Sequence, residues 1–343
     1  MKRNALLLVA LGLAVMALAA VALRSPPPGK RVAALSLLAL GDTGQPIGGP
    51  LAALRPQHRV ARALVAEDER APIDGLVLLG DNFYPDGLEE DELKDRLRVN
   101  IVAPYCRFLR FTARGRGSLE GECGVRQAAR HPVPLFAVLG NHDYGERESP
   151  MLQKELVPEY IDSWRMPDRA EVFELPGGVS LIPFQSVPTM VGKAKGTAAL
   201  EKALQRSKGP WRILAAHHPI ADPGNGHADA YARRVRAAIA RAGVPVHLFL
   251  AGHEHNLQAI EGEGGRDDAA LHVVAGSGSD TRKVRGTPRK RLFGVEALGF
   301  ARIDAEATRL RVSLFRVPAT PGTRAVVEAR FEIDAEGKVR REP

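Results

Sequence analysis

The sequence is poor in cysteine, with only Cys106 and Cys123 among its 343 residues. Two thiols exclude a disulfide-dense scaffold and a zinc site built from four thiolates. In an oxidising compartment the two can pair and close a small loop, and an inert, unpaired state is the alternative. Both lie in the Gly- and Arg-rich stretch 106–132, which we interpret as a surface insertion.

Aromatic residues are also scarce, at 5% of the chain, and none lies in the basic segment Arg282–Arg291. Nucleic-acid surfaces combine cations with aromatic side chains, so we expect no nucleic-acid partner. The chain nevertheless carries 48 Lys and Arg against 40 Asp and Glu, a net charge of +8. This excess indicates anionic ligands without identifying one, and the basic segment either flanks a binding site or is a solvated loop.

Long apolar runs are absent except for Ala5–Leu23, which follows two basic residues. A single run excludes a multi-span membrane protein, and its basic start is typical of an export signal. Its 19 residues are also enough to cross a bilayer at ~1.5 Å per residue. Residues 1–28 are therefore predicted to be a signal peptide, or an uncleaved membrane anchor through residues 5–23 plus a linker. In both cases the rest of the chain is exported, either periplasmic or secreted, or anchored to the membrane.

Internal repeats and Pro/Gly-rich linkers are absent from residues 31–335. Their absence excludes solenoids and propellers and predicts a single catalytic domain over residues 29–343. The carboxyl third contains strand-like runs, some of which alternate apolar and polar residues, and the odd-numbered positions of Val327–Ile333 are expected on one face. We therefore expect one domain that contains two sheets.

What the sequence does contain is one pattern, repeated five times. A short apolar run ends in Gly or Ala, and a polar residue able to bind a metal follows. Such runs predict strands buried on both faces, and because helix-like segments separate several of them, the fold is predicted to be α/β. In such sheets ligands bind at the carboxyl ends of the strands. The five clusters are Gly41-Asp42-Thr43-Gly44, Gly80-Asp81-Asn82-Phe83-Tyr84, Gly140-Asn141-His142-Asp143, His217-His218-Pro219 and Gly252-His253-Glu254-His255.

Each cluster alone is a weak signal, since Gly-Asp-x-Gly often forms only a turn. Together the five bring carboxylate, phenol, amide and imidazole donors to one sheet edge. Hard oxygen donors suit a high-charge metal ion, and imidazoles suit a divalent transition metal. The set therefore predicts a site for two metal ions.

The five clusters resemble those of the purple acid phosphatases, within the calcineurin-like metallophosphoesterase superfamily. The resemblance is to the small, tartrate-resistant type and covers roughly residues 34–333. The superfamily usually begins with Asp-x-His, whereas here Gly44 stands at that His position and Tyr84 appears in the second cluster. This exchange marks the purple subgroup. The resemblance implies an α/β fold, a four-layer βααβ sandwich of two mixed sheets flanked by helices, which is the metallophosphoesterase fold.

The resemblance also implies a binuclear centre of Fe3+ with a divalent Zn2+, Mn2+ or Fe2+. The implied ligands are Asp42, Tyr84 and His255 for the ferric ion, Asn141, His217 and His253 for the divalent ion, and Asp81 as the bridge between them. The implied reaction is the hydrolysis of small phosphomonoesters by attack of a metal-bound hydroxide. A purple colour from phenolate-to-iron charge transfer belongs to the same expectation.

Substrate-side roles follow from the same resemblance. Asn141 and His142 are expected to contact the substrate, and His142 to protonate or stabilise the leaving oxygen, with Asp143 orienting its ring. Asn82 either touches the phosphate or caps its own turn.

Two further histidines are catalytic candidates. Pro219 selects His217 rather than His218 as the ligand, because the resembled pattern places one residue between the ligand and the proline. His218 is then either a substrate-side residue or a packed histidine. His227 is a second acid–base candidate, although its spacing differs by one residue from the resembled pattern.

An acid phosphatase that works as a monomer on a small phosphorylated substrate is the favoured function. A phosphodiesterase acting on nucleotides or phospholipid headgroups is the first alternative, and the ligand set does not separate the two. An inactive, envelope-associated binding protein is the second alternative. It would be expected to have damaged ligand positions, whereas all seven are intact.

Overall fold

Two mixed β-sheets form the centre of the fold in the computed structural model. The structure describes residues 33–45, 55–123, 130–190, 194–221, 226–263, 266–286, 290–320 and 324–343. These residues belong to one unit, Ala33–Pro343, and none of their helices is long and apolar enough to cross a membrane. The predicted signal or anchor, residues 1–28, lies outside the described residues.

Among the described residues, the strands alternate with helices in roughly the first two thirds of the chain, up to Ala242, and follow one another without helices after it. They are β1 Leu35–Leu40, β2 Gly75–Leu78, β3 Leu135–Ala137, β4 Trp164–Arg165, β5 Phe173–Leu175, β6 Val179–Pro183, β7 Trp211–Ala215, β8 Val246–Ala251, β9 Leu257–Glu261, β10 Ala269–Ala275, β11 Arg291–Val295, β12 Gly299–Ala305, β13 Arg309–Arg316, β14 Val326–Asp334 and β15 Val339–Arg341.

The strands form two sheets of different composition. The eight-stranded sheet has the order β15-β14-β13-β12-β1-β2-β3-β4, and the seven-stranded sheet has the order β11-β9-β10-β8-β7-β6-β5. β1 to β4 are parallel to one another in the first sheet, as are β6, β7, β8 and β10 in the second. The antiparallel strands β12 to β15 come from the carboxyl third, as the alternating runs predicted.

The helices lie between the early strands, and α1 begins at a proline whose fixed φ suits the first helical turn. They are α1 Pro56–Arg70, α2 Leu93–Leu97, α3 Ala103–Tyr105, α4 Ala113–Ser118, α5 Ser149–Met151, α6 Val157–Tyr160, α7 Ser186–Met190, α8 Ala194–Arg206 and α9 Gly226–Ala242. π-helical turns at Arg98–Val102 and Leu152–Leu156 continue α2 and α5. Single 3₁₀ turns occur at Cys106–Phe108, Glu120–Cys123, His142–Tyr144 and Pro176–Gly178.

Three apolar cores give the fold four layers. One core fills the space between the inner faces of the two sheets, with side chains such as Leu37, Leu250 and Phe331. A second lies under α1 and the helices that follow β2, and a third under α8 and α9. The predicted pair of mixed sheets with flanking helices is confirmed. The layers run helix, sheet, sheet, helix rather than βααβ, because both sheets bury their inner faces against each other.

Two local expectations are corrected by the structure. The stretch 106–132 is not a surface insertion throughout, since Phe108, Phe111 and Leu119 are buried in the core under α1. Val327 does not share a face with Ala329–Ile333. A register shift in the β13–β14 pairing turns it to the opposite side of the sheet, where it packs with the helices. Cys106 and Cys123 form a disulfide, with their Cα atoms 5.6 Å apart.

Candidate metal centre

All five polar clusters lie directly after the carboxyl ends of parallel strands. The first three follow β1, β2 and β3 of the eight-stranded sheet, and the last two follow β7 and β8 of the other sheet. The two sheets are joined there, because the N–H of Gly41 donates to the carbonyl of Ala275 (2.8 Å) and the N–H of His253 donates to Asp42 Oδ2 (2.7 Å). This junction brings donors from distant parts of the sequence to one place, as ligand sites in α/β sheets require.

Four of the candidate ligands have backbones in the left-handed region. Their φ values are +58° for Asp42, +52° for Asp81, +70° for His253 and +44° for His255. Non-glycine residues adopt this region rarely and at a cost of about 1–3 kcal/mol, and such strain concentrates at functional sites. These turns are therefore locally strained, and the strained backbone sets the direction of the four candidate ligand side chains.

A cluster of oxygen donors surrounds Tyr84. Its Oη lies 2.7 Å from Asp81 Oδ2, 3.2 Å from Asp42 Oδ1 and 3.1 Å from His255 Nε2. Asp42 Oδ1 is also 3.1 Å from His255 Nε2. These four residues are the ones predicted for the ferric ion together with the bridge.

A cluster of nitrogen donors surrounds His217. Its Nδ1–H donates to the carbonyl of Leu79 (2.9 Å), which leaves the lone pair of Nε2 facing the site. That Nε2 lies 3.1 Å from Asn141 Oδ1 and 3.2 Å from His253 Nδ1. The structure therefore brings together the three residues predicted for the divalent ion.

Asp81 reaches both clusters. Its Oδ2 is the atom nearest Tyr84 Oη, and its Oδ1 lies 3.4 Å from His217 Nε2. The approach depends on Gly140, because a Cβ there would lie 2.0 Å from Asp81 Oδ1. This is the placement that a bridging carboxylate needs.

The electrostatics of the oxygen cluster favour a bound cation. Burial, with the nearby charge of Asp81 as a further cause, raises the pKa of Asp42 to about 7, although its hydrogen bond with His255 acts in the opposite direction. Burial, followed by the charges of both carboxylates, raises the pKa of Tyr84 far above that of a free phenol. Several acidic oxygens buried within about 3 Å of one another repel unless a cation is shared between them. The donor set therefore fits a metal centre.

His142 and Asp143 differ from each other in what they contact. The ring of His142 lies at the open side of the site, with its Nδ1 2.6 Å from the carbonyl of Pro85. Asp143 is fully buried and accepts hydrogen bonds from the backbone N–H groups of Gly140, Asn82 and Phe83. The expectation that Asp143 orients His142 is wrong, because its oxygens are already used to join the second and third clusters.

Asn82 faces away from the site. Its Nδ2 donates to the carbonyl of Val138 (2.8 Å) and to Gln153 Oε1 (3.2 Å), and the side chain is buried. These bonds differ from the expected cap of its own turn, because they link the second cluster to Val138 and Gln153, and contact of Asn82 with a phosphate stays a prediction.

His218 lies beside the nitrogen cluster. Its ring centroid is 4.5 Å from that of His253, and its Nδ1 lies 2.8 Å from Ser186 Oγ. Burial lowers its pKa, as do the neighbouring histidines. His218 is thus a buried histidine bonded to Ser186 whose ring also lies next to the candidate ligand His253, and its substrate-side role stays a prediction. His227 is in the first turn of α9, and its side chain lies outside what the structure describes.

Sequence reasoning missed several residues that hold the site. Gln153 bonds Asp143 (2.9 Å), Ser186 bonds His218, and Asp280 Oδ2 lies 3.4 Å from His255 Nδ1. Gln153 and Ser186 lie on short helices far from any motif, so no sequence signal marks them. Asp280 could have been found from the sequence, because it directly follows the Gly-Ser-Gly-Ser turn after β10, at another strand end where ligands are expected.

The fold and the paired donor clusters define a metallophosphoesterase. A family model described as "Calcineurin-like phosphoesterase" matches residues 35–257. The chain belongs to this family and is a hydrolase that acts on phosphoric ester bonds.

Known proteins of several kinds are similar to the chain. Purple acid phosphatase 3 of Arabidopsis thaliana is 25% identical over 323 residues, which cover 84% of this chain and 76% of that protein. A solved structure of purple acid phosphatase PPD1 from yellow lupin (Lupinus luteus) seeds has a TM-score of 0.56 at 16% identity, over 90% of this chain and 55% of that one. The structure of GAP50, "the anchor in the inner membrane complex of Plasmodium", has a TM-score of 0.60 at 17% identity, over 86% and 87%. At these identities the two structures are similar in fold alone.

Proposed function

We propose that the chain is an acid phosphatase of the purple type, which hydrolyses phosphomonoesters at a binuclear metal centre. The observation that carries the proposal is the pair of adjoining donor clusters, one of carboxylates and a phenol and the other of imidazoles and an amide, linked by Asp81. The oxygen-rich cluster suits Fe3+, and the second suits Zn2+, Mn2+ or Fe2+.

The roles of the residues follow from their placement. A metal pair held there supplies Lewis-acid stabilisation of the phosphate's charge and lowers the pKa of water. Asp42, Tyr84 and His255 would hold one ion, with Asn141, His217 and His253 holding the other. Asp143 keeps the turns that carry Asp81 and Asn141 in register through its bonds to backbone N–H groups.

His142 is the proposed general acid. Because its Nδ1–H donates to the Pro85 carbonyl, the proton it can transfer is the one on Nε2. The ring is half-buried and tilted by 58° against the ring of Tyr84, with the two centroids 4.6 Å apart, so it lies at the edge of the oxygen cluster, where we place the leaving group. His218 is bonded to Ser186 and His253 is a proposed metal ligand, so we assign neither of them to that task.

Replacing His142 with alanine is expected to slow the hydrolysis of alkyl phosphates by about 10²-fold or more, the usual scale for loss of a general acid. The expected effect on p-nitrophenyl phosphate is much smaller, because its leaving group needs no proton. Steady-state kinetics on both substrates, with metal content measured on the same samples, checks this. A His58→Ala variant, altered in α1, is the control. An equal loss on both substrates would contradict the acid role.

The preference for monoesters is tested by comparing p-nitrophenyl phosphate with bis-p-nitrophenyl phosphate. The two share one leaving group, so their kcat/KM ratio reports on the site's tolerance for a second ester arm. We expect the monoester to be cleaved faster at acidic pH. Faster cleavage of the diester would replace the proposal with a phosphodiesterase acting on nucleotides or phospholipid headgroups.

Export is the second part of the proposal. Residues 1–28 would direct the chain out of the cytoplasm, as a cleaved signal or as an anchor through residues 5–23, and residues 29–343 would work as a monomeric catalytic domain on small phosphorylated substrates. The Cys106–Cys123 disulfide supports this, because disulfides persist mainly in oxidising compartments.

A further inference from the structure

The loop that follows β10 carries an exposed arginine, Arg282. The backbone N–H of Arg282 donates to the carbonyl of His255 (2.8 Å), which ties the arginine to the turn that bears this candidate ligand. Arg282 therefore keeps a fixed place beside the oxygen cluster.

The same loop is tied to the first cluster. Ser279 Oγ donates to the carbonyl of Asp42 (2.5 Å), and the N–H of Gly278 donates to the carbonyl of Gly41 (3.0 Å). The loop thus holds both the turn after β1 and the turn after β8.

A second arginine supports the loop from behind. Arg291 of β11 donates to the carbonyls of Arg285 (2.6 Å) and Gly286 (2.8 Å), and its Nε donates to Gln258 (3.0 Å). All three nitrogens of the Arg291 guanidinium therefore donate hydrogen bonds within the protein. Arg282, by contrast, forms no ion pair with any carboxylate in the part of the chain that the structure describes.

The backbone bond of Arg282 sets its positive charge close to the candidate ligands. Its backbone N–H is bonded to the carbonyl of the candidate ligand His255, and Asp280, two residues earlier on the same loop, has its Oδ2 3.4 Å from the Nδ1 of that histidine. An exposed, unneutralised guanidinium within electrostatic reach of the metal ligands attracts anions to this side of the site.

We infer that Arg282 is a specificity residue, which binds a second anionic group carried by the substrate. The inference rests on the proposed function, in which the metal centre takes the phosphate that reacts. The guanidinium of Arg282 then contacts the part of the substrate that extends beyond the reacting phosphate. Its planar pair of N–H donors matches the two oxygens of a carboxylate or of a second phosphate. The preferred substrates are therefore phosphomonoesters with another negative charge a few bonds from the ester.

Glycerol 3-phosphate and 3-phosphoglycerate test this, because the second compound has a carboxylate where the first has a hydroxymethyl group. In Arg282→Ala we expect KM for 3-phosphoglycerate to rise about tenfold, the size of one charge-assisted hydrogen bond. The KM for glycerol 3-phosphate should change less than about twofold, with kcat kept for both. Arg282→Lys should recover part of the loss.

Lys283→Ala is the matched control, since it removes one positive charge from the adjacent, exposed position. It should leave the ratio of the two KM values unchanged. An equal rise for both substrates in Arg282→Ala, or no change for either, would overturn the inference.

Failure of the proposed function has a different signature. If the wild-type protein hydrolysed neither compound, the phosphomonoesterase proposal would fail. Isothermal titration of the same two compounds into the metal-loaded wild type and Arg282→Ala would then still decide the inference. A loss of affinity confined to 3-phosphoglycerate supports it, and equal affinities in the two proteins overturn it.

Discussion

Replacing Asp81 with alanine is expected to remove both metal ions and to lower kcat/KM for phosphomonoesters by at least about 10³-fold. Its two oxygens reach both donor clusters, one at 2.7 Å from Tyr84 Oη and the other at 3.4 Å from His217 Nε2. Metal ions supply several kcal/mol of transition-state stabilisation, and each 1.36 kcal/mol is a factor of ten in rate. Metal analysis by mass spectrometry and kinetics on the same sample check the result.

In the metal-free protein, by contrast, removing the charge of Asp81 should not reduce the stability of the fold. The charge of Asp81 adds to burial in raising the pKa of Asp42, so the two buried carboxylates repel when no cation lies between them. Without metal, Asp81→Asn should therefore be at least as stable as the wild type, measured by thermal unfolding in excess chelator at neutral pH. The expected gain in stability is present above the raised pKa of Asp42, about 7, where Asp42 is charged, and it fades as the pH falls below that value.

Asp86→Asn is the control, because Asp86 is an exposed carboxylate five residues along the same loop. It should keep its metals, its activity and its unfolding temperature. An Asp81→Ala protein that still bound two metal ions per chain would show that Asp81 is not the bridge. A metal-free Asp81→Asn protein that unfolded well below the wild type would show that the carboxylate cluster is stabilising without a cation.

The sequence was enough to predict the strands that carry the site and the residues brought together there. Buried parallel strands are apolar on both faces, so their ends stand out where a glycine and a polar residue interrupt the run. The rule that ligands gather at such ends then joins clusters more than 200 residues apart, such as those of Asp42 and His255.

What the sequence could not supply is the set of contacts around those residues. The resemblance implied that Asp143 orients His142, whereas His142 bonds to the carbonyl of Pro85 and Asp143 accepts from the backbone N–H groups of neighbouring turns. The partner of Asp143 is Gln153, on a helical turn with no motif. The predicted face of Val327 was wrong for a related reason. A register shift in the β13–β14 pairing turns Val327 to the other side of the sheet, and the alternation of apolar and polar residues in the sequence does not reveal such a shift.

Replacing Tyr84 with phenylalanine is expected to abolish the visible absorption band of the metal-loaded protein. The proposed band is charge transfer from the Tyr84 phenolate to Fe3+. Burial and the two carboxylates raise the pKa of Tyr84 so far that a phenolate can form only where a cation replaces its proton. The colour therefore requires both this residue and a metal of high charge beside it. Absorption spectra and iron content measured on one preparation check the prediction.

The fold should survive this change, because the ring of Tyr84 is only 6% exposed and phenylalanine keeps it. The near-ultraviolet circular dichroism and the unfolding temperature of the metal-free protein test that separately. Tyr144→Phe, at a half-buried tyrosine next to Asp143, is the matched control and should keep the band. A Tyr84→Phe protein with an unchanged spectrum would remove the purple assignment. Because Asp81→Ala is expected to lose the metals and Tyr84→Phe only one ligand and the colour, the two variants together separate metal binding from metal identity.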